Sequence, residues 1–189
     1  MSAPTEASGR RPASPATNPA VVLVGPPGAG KTSVARRLAE MVQLPVRDTD
    51  TDVEDAAGAS VADLFVDFGE EHFRRLEADA VAAALAEHDG ILSVGGGAVV
   101  NAGTRAALRE QRVVFLDVGL ADAASRVGLG VARPLLVGNV RGQLKALLDA
   151  RRPLYLEVAD HVVSTDGRTV GQVAAEVLAV LDSPAGDAR

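Results

Sequence analysis

The segment that most constrains the fold is the run from Gly25 to Thr32, which reads GPPGAGKT. It follows the apolar run 20–24 and opens the amphipathic run 31–43. Glycines at these positions let backbone N–H groups curl around phosphate oxygens, while Lys31 can reach the outer phosphates and the threonine hydroxyl is suited to Mg²⁺. The pattern predicts a strand, a tight loop and a helix in that order, and it indicates binding of a nucleoside triphosphate.

The alternative to a phosphate-binding loop is a glycine-rich turn without a ligand. Glycine is common in this chain, but lysine occurs only at Lys31 and Lys145. A chance match to the whole pattern, placed between a strand-like and a helix-like segment, is therefore rare. We favour the phosphate-binding loop.

Short apolar runs alternate with helical patterns along the rest of the chain. The predicted strands are residues 20–24, 44–47, 91–94, 113–118 and 161–163. The predicted helices are residues 31–43, 53–57, 60–68, 70–87, 102–111, 121–127, 143–151 and 170–181. This alternation predicts the α/β class, with a five-stranded, mostly parallel sheet flanked by helices.

Length and composition narrow the class of protein further. A chain of 189 residues suits one domain, and with 3% aromatic residues its core must consist mainly of Ala, Val and Leu. The net charge of −6 argues against nucleic-acid binding through a generally basic surface, and no apolar run is long enough to span a bilayer. The absence of cysteine suits a reducing compartment. We expect a cytoplasmic protein without nucleic-acid or membrane partners.

The two ends of the chain differ in composition from the rest. Residues 1–19 are rich in Ala, Ser, Pro and Thr without apolar periodicity, which predicts a disordered tail, and residues 183–189 look similarly loose. We therefore expect a single domain over residues 20–182.

Ligands of an open parallel sheet gather beyond the carboxyl ends of its strands. The second predicted strand is followed there by Asp48, Thr49 and Asp50. If strand geometry persists, both carboxylates share one face, where one could hold a Mg²⁺-bound water while the other orients or deprotonates an acceptor hydroxyl. Alternatively, Asp48 ends the strand and Asp50 or Thr51 caps the next helix. Next to a phosphate-binding loop we favour the functional interpretation.

Three consecutive glycines, Gly95, Gly96 and Gly97, follow the third predicted strand. Such a run costs conformational entropy, so it indicates either a flexible turn or a backbone that bends sharply close to a ligand. On the preceding helix, Arg74 and Glu77 lie three residues apart. They form either an exposed ion pair of little effect or a pair in which the carboxylate orients the guanidinium toward an anionic group.

Residues 128–142 combine glycines with Arg133, Pro134 and two leucines. An irregular segment of this kind is consistent with a lid, and an arginine on a lid could place positive charge on a transferring phosphate when substrates are bound. A surface loop with a solvated arginine is the alternative. The three histidines form no recognisable metal-binding set.

Taken together, these motifs resemble those of shikimate kinases over residues 20–181. The matching segments, in order, are the phosphate-binding loop, residues 48–50 (DTD), 73–77 (FRRLE), 93–98 (SVGGGA), 133–136 (RPLL) and 151–155 (RRPLY). The resemblance implies a fold like that of the P-loop nucleoside monophosphate kinases, with acceptor-binding helices at about residues 49–89 and a lid at about 128–142. It also implies transfer of the ATP γ-phosphoryl group to the 3-hydroxyl of shikimate, with Mg²⁺, in aromatic amino acid biosynthesis by a monomer.

The resemblance also implies roles for individual residues. Catalysis would involve Lys31, Asp50 and Arg133, and the Mg²⁺ site Thr32 and Asp48. ATP would be bound by Gly28, Ala29, Gly30, Lys31, Thr32, Ser33, Arg126, Arg133 and Arg168, the arginines at 126 and 168 flanking adenine. Shikimate would be bound by Asp50, Arg74, Gly95, Gly96, Gly97 and Arg151.

Three alternatives remain open at this point. The acceptor arginine could be Arg152 instead of Arg151 if the register slips by one. The acceptor could be another hydroxy acid, as in a gluconate kinase. A nucleotide-dependent regulatory module would use the loop as a switch, but residues 48–50 and 95–97 would then have no purpose. The long N-terminal tail is a departure from the family and has no assigned role.

Overall fold

The computed structural model describes residues 19–127 and 140–182. The strands are β1 (Val21–Val24), β2 (Val46–Asp48), β3 (Ile91–Ser93), β4 (Val113–Asp117) and β5 (His161–Ser164). The helices are α1 (Lys31–Val42), α2 (Thr49–Ala57), α3 (Val61–Glu87), α4 (Ala102–Leu108), α5 (Leu120–Val127), α6 (Val140–Val158) and α7 (Val170–Asp182), with a 3₁₀ turn at Ala98–Val100. The predicted tails, apart from Pro19, and residues 128–139 of the predicted lid lie outside the described residues.

The five strands form one parallel sheet in the order β2-β3-β1-β4-β5, which confirms the predicted fold class. The central strand β1 pairs with β3 on one side and with β4 on the other. Because all the strands run in the same direction, the segments that follow them meet at one edge of the sheet. The loop after β1 therefore lies beside the segments that follow β3 and β4.

The core lies on both faces of the sheet, as expected for parallel strands covered by helices. All four residues of β1 are at most 1% exposed. Val21 and Leu23 pack in one apolar cluster with residues of α1 and α7, whereas Val22 and Val24 pack in another with residues of α3 and α6. Both faces of β1 are thus buried, and the loop after it starts from a rigid strand.

A third and smaller apolar cluster contains Val53, Leu64 and Phe73 from α2 and α3. Within α3, Gly69 has φ 81° and ψ 168°, so the helix is interrupted there. Separate helices were predicted on either side of this glycine, and the interruption agrees with that prediction. Side chains with a Cβ are strained in this region of φ and ψ, which explains glycine at the break.

Several predicted boundaries were wrong. The helix predicted at residues 143–151 spans Val140–Val158 and continues through Pro153. Tyr155 and Val158, which lie beyond the proline, are at most 4% exposed in the core. Burial of this last segment stabilises the helix despite the backbone hydrogen bond that proline cannot make. None of the described helices is long and apolar enough to cross a membrane.

Candidate active site

The loop after β1 adopts the backbone conformation that its glycines permit. Gly28 and Gly30 have φ values of 82° and 85°, in the left-handed region that side chains with a Cβ rarely adopt. Gly30 is the N-cap of α1, so the loop leads directly into the N-terminus of that helix. Backbone N–H groups and the helix dipole both favour an anion at this position.

Lys31, the first residue of α1, folds back over the loop. Its ammonium group donates hydrogen bonds to the carbonyl oxygens of Gly25 at 2.8 Å and Pro26 at 3.3 Å. The only other lysine, Lys145, pairs with Asp149 on α6. The loop therefore carries its own positive charge in addition to the helix dipole.

Thr32 and Asp48 meet at the mouth of the loop. The Thr32 hydroxyl donates to Oδ2 of Asp48 at 2.7 Å, and Oδ1 of Asp48 accepts a hydrogen bond from the N–H of Asp50 at 3.0 Å. Asp48 is therefore the N-cap of α2, which begins at Thr49. Strand geometry does not persist beyond Asp48, and the cap is Asp48 itself, not Asp50 or Thr51 as the alternative proposed.

A cavity of about 440 Å³ opens in front of the loop. Its lining comprises residues 27–34 together with Asp50, Ser93, Gly96, Arg126, Thr165, Arg168, Val170 and Val173. The predicted ATP-binding residues of the loop, Gly28, Ala29, Gly30, Lys31, Thr32 and Ser33, thus share one cavity with Asp50 of α2 and Gly96 after β3. Arg133 lies outside the described residues.

Two arginines, Arg126 and Arg168, also line this cavity. Arg126 of α5 donates to the carbonyl oxygen of Gly28 at 3.2 Å and to that of Thr165 at 2.8 Å, and it pairs with Asp122 at 2.8 Å. Arg168 donates to the carbonyl oxygen of Ser164 at 2.9 Å. Arg126 therefore ties α5 to the loop and to the segment after β5.

Arg74 of α3 is held between two carboxylates and two aromatic rings. Its Nη1 donates to Oε2 of Glu77 at 2.6 Å, and its Nε and Nη2 donate to Oε1 of Glu70 at 3.3 and 3.1 Å. The guanidinium carbon lies 5.6 Å from the ring centre of Phe65 and 5.4 Å from that of Phe73. The guanidinium therefore has little freedom to rotate.

The Arg74–Glu77 pair is largely withdrawn from water, unlike the exposed pair of the alternative interpretation. Glu77 is 3% exposed, and burial raises its pKa although the charge of Arg74 acts to lower it. Burial acts to lower the pKa of Arg74, but Glu77 and Glu70 outweigh this effect and the pKa is raised. Arg74 therefore remains a cation.

The three glycines after β3, residues 95–97, lie in close contact with side chains from α2 and α3. A Cβ added to Gly97 would lie 1.7 Å from Nη1 of Arg74, and one added to Gly95 would lie 2.5 Å from Oδ1 of Asp50. A Cβ on Gly96 would lie 3.3 Å from the carbonyl oxygen of Gly25. This segment brings the predicted acceptor side chains next to the phosphate-binding loop.

The two adjacent arginines of α6 point to different partners. Nη1 of Arg151 donates to the carbonyl oxygen of Gly96 at 3.2 Å, whereas Nη2 of Arg152 donates to Oδ2 of Asp117 at 2.9 Å. Arg151 thus lies beside the glycine segment and Arg152 pairs at the end of β4. The role of Arg151 as the acceptor arginine stays a prediction, which its place beside residues 95–97 supports.

Two residues at the site have no role in the sequence analysis. Thr49 is fully buried, and its Oγ1 accepts a hydrogen bond from the N–H of Gly95 at 2.9 Å. The hydroxyl of Tyr155, the only tyrosine, donates to the carbonyl oxygen of Gly96 at 2.5 Å. Their positions within the motifs at residues 48–50 and 151–155 were the only available signal, because both contacts join segments far apart in the chain.

A phosphate-binding loop, a neighbouring carboxylate and several arginines at one edge of a parallel sheet are the features of a P-loop kinase of small molecules. The fold of the chain is similar to that of a gluconokinase from Sinorhizobium meliloti, with 19% identity, a TM-score of 0.55 and coverage of 88% of this chain and 91% of the other.

Comparison with known proteins identifies the family within this class. The shikimate kinase family model matches residues 27–182. The shikimate kinase of Salinispora arenicola is 56% identical over 163 residues, which cover 86% of this chain and 98% of the relative. The shikimate kinase of Saccharopolyspora erythraea is 60% identical over 151 residues, which cover 79% of this chain and 86% of the relative. A structure of shikimate kinase from Acinetobacter baumannii in complex with shikimate has a TM-score of 0.83 and 34% identity, covering 87% of this chain and 93% of the other. The chain belongs to the shikimate kinase family.

Proposed function

We propose that this protein transfers the γ-phosphoryl group of ATP to the 3-hydroxyl of shikimate, giving shikimate 3-phosphate and ADP for aromatic amino acid biosynthesis. Family membership supports the substrates. The observation that carries the proposal is the continuity of the site, because Gly96 lines the phosphate cavity and its carbonyl oxygen contacts Arg151. A donor and an anionic acceptor can therefore bind side by side.

On the donor side, ATP occupies the cavity in front of α1. The phosphates lie on the backbone of residues 28–33, and Lys31 leaves its contacts with the carbonyl oxygens of the loop to follow the γ-phosphate. Arg126 and Arg168, which line the same cavity, flank the adenine. Arg133 of the lid adds a positive charge when the site closes.

Thr32 and Asp48 fit a Mg²⁺ site. Their hydroxyl and carboxylate oxygens lie 2.7 Å apart at the mouth of the loop, and Mg²⁺ prefers oxygen ligands. Among the described residues no group of three acidic or histidine side chains could hold a metal by itself, which agrees with a Mg²⁺ that enters with ATP and keeps several waters. Bound there, Mg²⁺ would neutralise phosphate charge.

On the acceptor side, Arg74 and Arg151 bind the carboxylate of shikimate while Gly95, Gly96 and Gly97 bring the backbone close to the ring. Glu77 and Glu70 hold Arg74 before the acceptor arrives, so little orientation entropy is lost on binding. Asp50, which lines the same cavity as the loop residues, orients the 3-hydroxyl and takes its proton as the new bond from the hydroxyl oxygen to the γ-phosphorus forms and the bond from that phosphorus to ADP breaks.

A coupled ADP assay with ATP, Mg²⁺ and a panel of acceptors tests the proposal. Shikimate should support turnover, whereas gluconate and shikimate lacking the 3-hydroxyl should not. Absence of shikimate-dependent ADP production by folded protein would overturn the assignment, and turnover of gluconate would favour the gluconate kinase alternative.

Single-arginine variants test the acceptor site. We expect Arg74→Ala and Arg151→Ala to raise the KM for shikimate about tenfold or more, because each removes a charged hydrogen bond, with little effect on the KM for ATP. Their chain neighbours provide matched controls, since Arg75 pairs with exposed Glu71 and Arg152 with Asp117. Equal effects of Arg151→Ala and Arg152→Ala would contradict the assignment.

We further propose that residues 20–182 act as a single catalytic domain in a cytoplasmic monomer with no nucleic-acid or membrane partner. One chain supplies both the donor and the acceptor residues of the site, which supports the monomer. Sedimentation velocity at micromolar concentration tests it, and a stable dimer would contradict it.

A further inference from the structure

Two buried hydroxyl groups hold the glycine segment at residues 95–97. Thr49, at the start of α2, is fully buried and accepts a hydrogen bond from the N–H of Gly95 at 2.9 Å. Tyr155, in the last part of α6, is 1% exposed and donates to the carbonyl oxygen of Gly96 at 2.5 Å. The segment is therefore fixed by two residues, on different helices, that are more than a hundred positions apart in the chain.

The carbonyl groups of the segment all have partners. Their donors, in chain order, are the N–H of Ala98 at 3.1 Å, the Tyr155 hydroxyl together with Arg151, and the N–H of Val100 at 2.9 Å. Within residues 19–127 and 140–182, no partner is found for the N–H groups of Gly96 and Gly97. Because a trans peptide is planar, a fixed Gly96 carbonyl also fixes the direction of the Gly97 N–H. The segment therefore presents two oriented donors.

The segment lies between the two halves of the site. A Cβ on Gly96 would approach the carbonyl oxygen of Gly25 and Cδ of Pro27 to 3.3 Å each, on the side of the phosphate-binding loop. A Cβ on Gly97 would overlap the guanidinium of Arg74. A small rotation of these peptide planes would therefore disturb the acceptor site next to the phosphates.

The surroundings of Tyr155 suit a hydroxyl that keeps its proton and donates it. Its ring stacks on that of Phe115, with ring centres 5.0 Å apart and an angle of 21° between the planes. Burial raises the pKa of its hydroxyl, although the charge of Arg151 acts to lower it. The hydroxyl thus keeps its proton, and both it and Arg151 donate to the same carbonyl oxygen.

We propose that Thr49 and Tyr155 are positioning residues for the acceptor: the Thr49 hydroxyl fixes the Gly95 N–H at the start of the segment, and the Tyr155 hydroxyl fixes the Gly96 carbonyl, and thereby the Gly97 N–H, beside Arg151. This inference rests on the proposed function, since it takes this site as the acceptor site. Neither residue is placed in contact with the reacting atoms. Their effect is on how well the acceptor binds.

The test removes each hydroxyl with little change in shape. We expect Thr49→Val and Tyr155→Phe each to raise the KM for shikimate about three- to tenfold, the effect of one neutral hydrogen bond, while the KM for ATP stays unchanged. Calorimetry should show the same weakening of shikimate binding without nucleotide. Thr49→Ser, which keeps the hydroxyl, should restore the KM.

Two controls separate positioning from stability. Thr104→Val removes a buried hydroxyl of α4 outside the site, and Phe115→Leu removes the ring on which Tyr155 stacks. A purely structural role would lower the Tm of the hydroxyl variants and of the controls alike. It would not raise the KM for shikimate while leaving the KM for ATP unchanged.

The outcomes for the inference and for the proposed function are distinct. If the wild-type protein turns over shikimate and both hydroxyl variants keep the wild-type KM for shikimate, the positioning roles are overturned and the proposed function stands. The same holds if both variants raise the KM for shikimate and the KM for ATP together. If the wild-type protein shows no shikimate-dependent turnover, the proposed function is overturned and this inference with it.

Discussion

Arg74 shows how a single residue can be prepared for a ligand by its neighbours. Glu77 is buried and pairs with Nη1, while the more exposed Glu70 pairs with Nε and Nη2. Breaking a buried pair by removing one partner leaves an uncompensated charge and typically costs about 3–5 kcal/mol. The side chain therefore has one favoured orientation, and anything that displaces its guanidinium should weaken acceptor binding.

Gly97→Ala tests the contact on which this orientation depends. The new Cβ would overlap the guanidinium of Arg74, so we expect a rise of about tenfold in the KM for shikimate with the KM for ATP unchanged. Steady-state kinetics measures both values. Gly171→Ala is the control, because a Cβ at that position of α7 meets no atom within 4 Å. An unchanged KM in Gly97→Ala would show that Arg74 is not held as described.

Lys31→Met tests the positive charge of the loop. Loss of one cation aimed at developing charge typically costs a factor of about 10²–10³ in kcat, so we expect transfer to be nearly abolished while calorimetric binding of shikimate persists. Lys145→Met removes the other lysine, which pairs with Asp149 away from the loop, and should leave the rate unchanged. Equal losses in both variants would contradict the role of Lys31.

At the scale of elements, α6 connects the acceptor site to the core. Its continuation through Pro153 places Tyr155 against Phe115, and Arg151, just before the proline, donates to the carbonyl oxygen of Gly96. Farther along, Glu157 accepts a hydrogen bond from Arg105 of α4 at 3.0 Å and also pairs with Arg109. The end of α6 is therefore tied to α4 by charge as well as by apolar packing.

The α4–α6 tie predicts a pH-dependent stability. The hydrogen bond from Arg105 lowers the pKa of Glu157 below its ordinary value of 4.5, and the charge of Arg109 adds to this effect. A carboxyl whose pKa is lower in the folded state stabilises above pH 4.5 and loses that contribution as the pH falls through the folded value. The Tm of Glu157→Gln should therefore lie below that of the wild type at pH 7 and approach it at pH 3.

Salt provides the control for this interpretation. The pair is at the surface, so the Tm difference at pH 7 should shrink at 1 M NaCl. A difference that persists unchanged at pH 3 would mean that Glu157 acts through packing instead of charge.

At the scale of the whole molecule, one sheet edge collects both halves of the site. The phosphate-binding loop follows β1, Asp48 ends β2 and Asp50 comes just after it, and the glycine segment follows β3. Because β1 and β2 are both neighbours of β3, these three segments lie side by side. Under the proposed function, the two substrates would together contact residues of α1, α2, α3 and α6. Binding should therefore stabilise the fold as a unit.

Ligand binding should raise the Tm in a metal-dependent way. A ligand at 100 times its Kd stabilises the folded state by about 2.7 kcal/mol, which for a chain of this size corresponds to about 5–10 °C. We expect ADP with Mg²⁺ and shikimate to raise the Tm separately, and EDTA to reduce only the nucleotide shift. Differential scanning fluorimetry measures both. A shikimate shift that disappears with EDTA would contradict separate subsites.

The sequence by itself determined the class of fold, the donor loop and the residue types of the site. Apolar runs of strand length and the GPPGAGKT pattern are local, so β1 and the start of α1 were predicted within one residue. The boundaries of α6 were not, because burial of Tyr155 and Val158 depends on strands that are distant in the chain.

Only the tertiary structure decided which side chains meet. The contacts of Arg151, Thr49 and Tyr155 with residues 95–97 join positions that are 46 to 59 residues apart. A local pattern specifies backbone conformation and exposed chemistry, whereas a hydrogen bond between distant segments exists only after the sheet has set their positions.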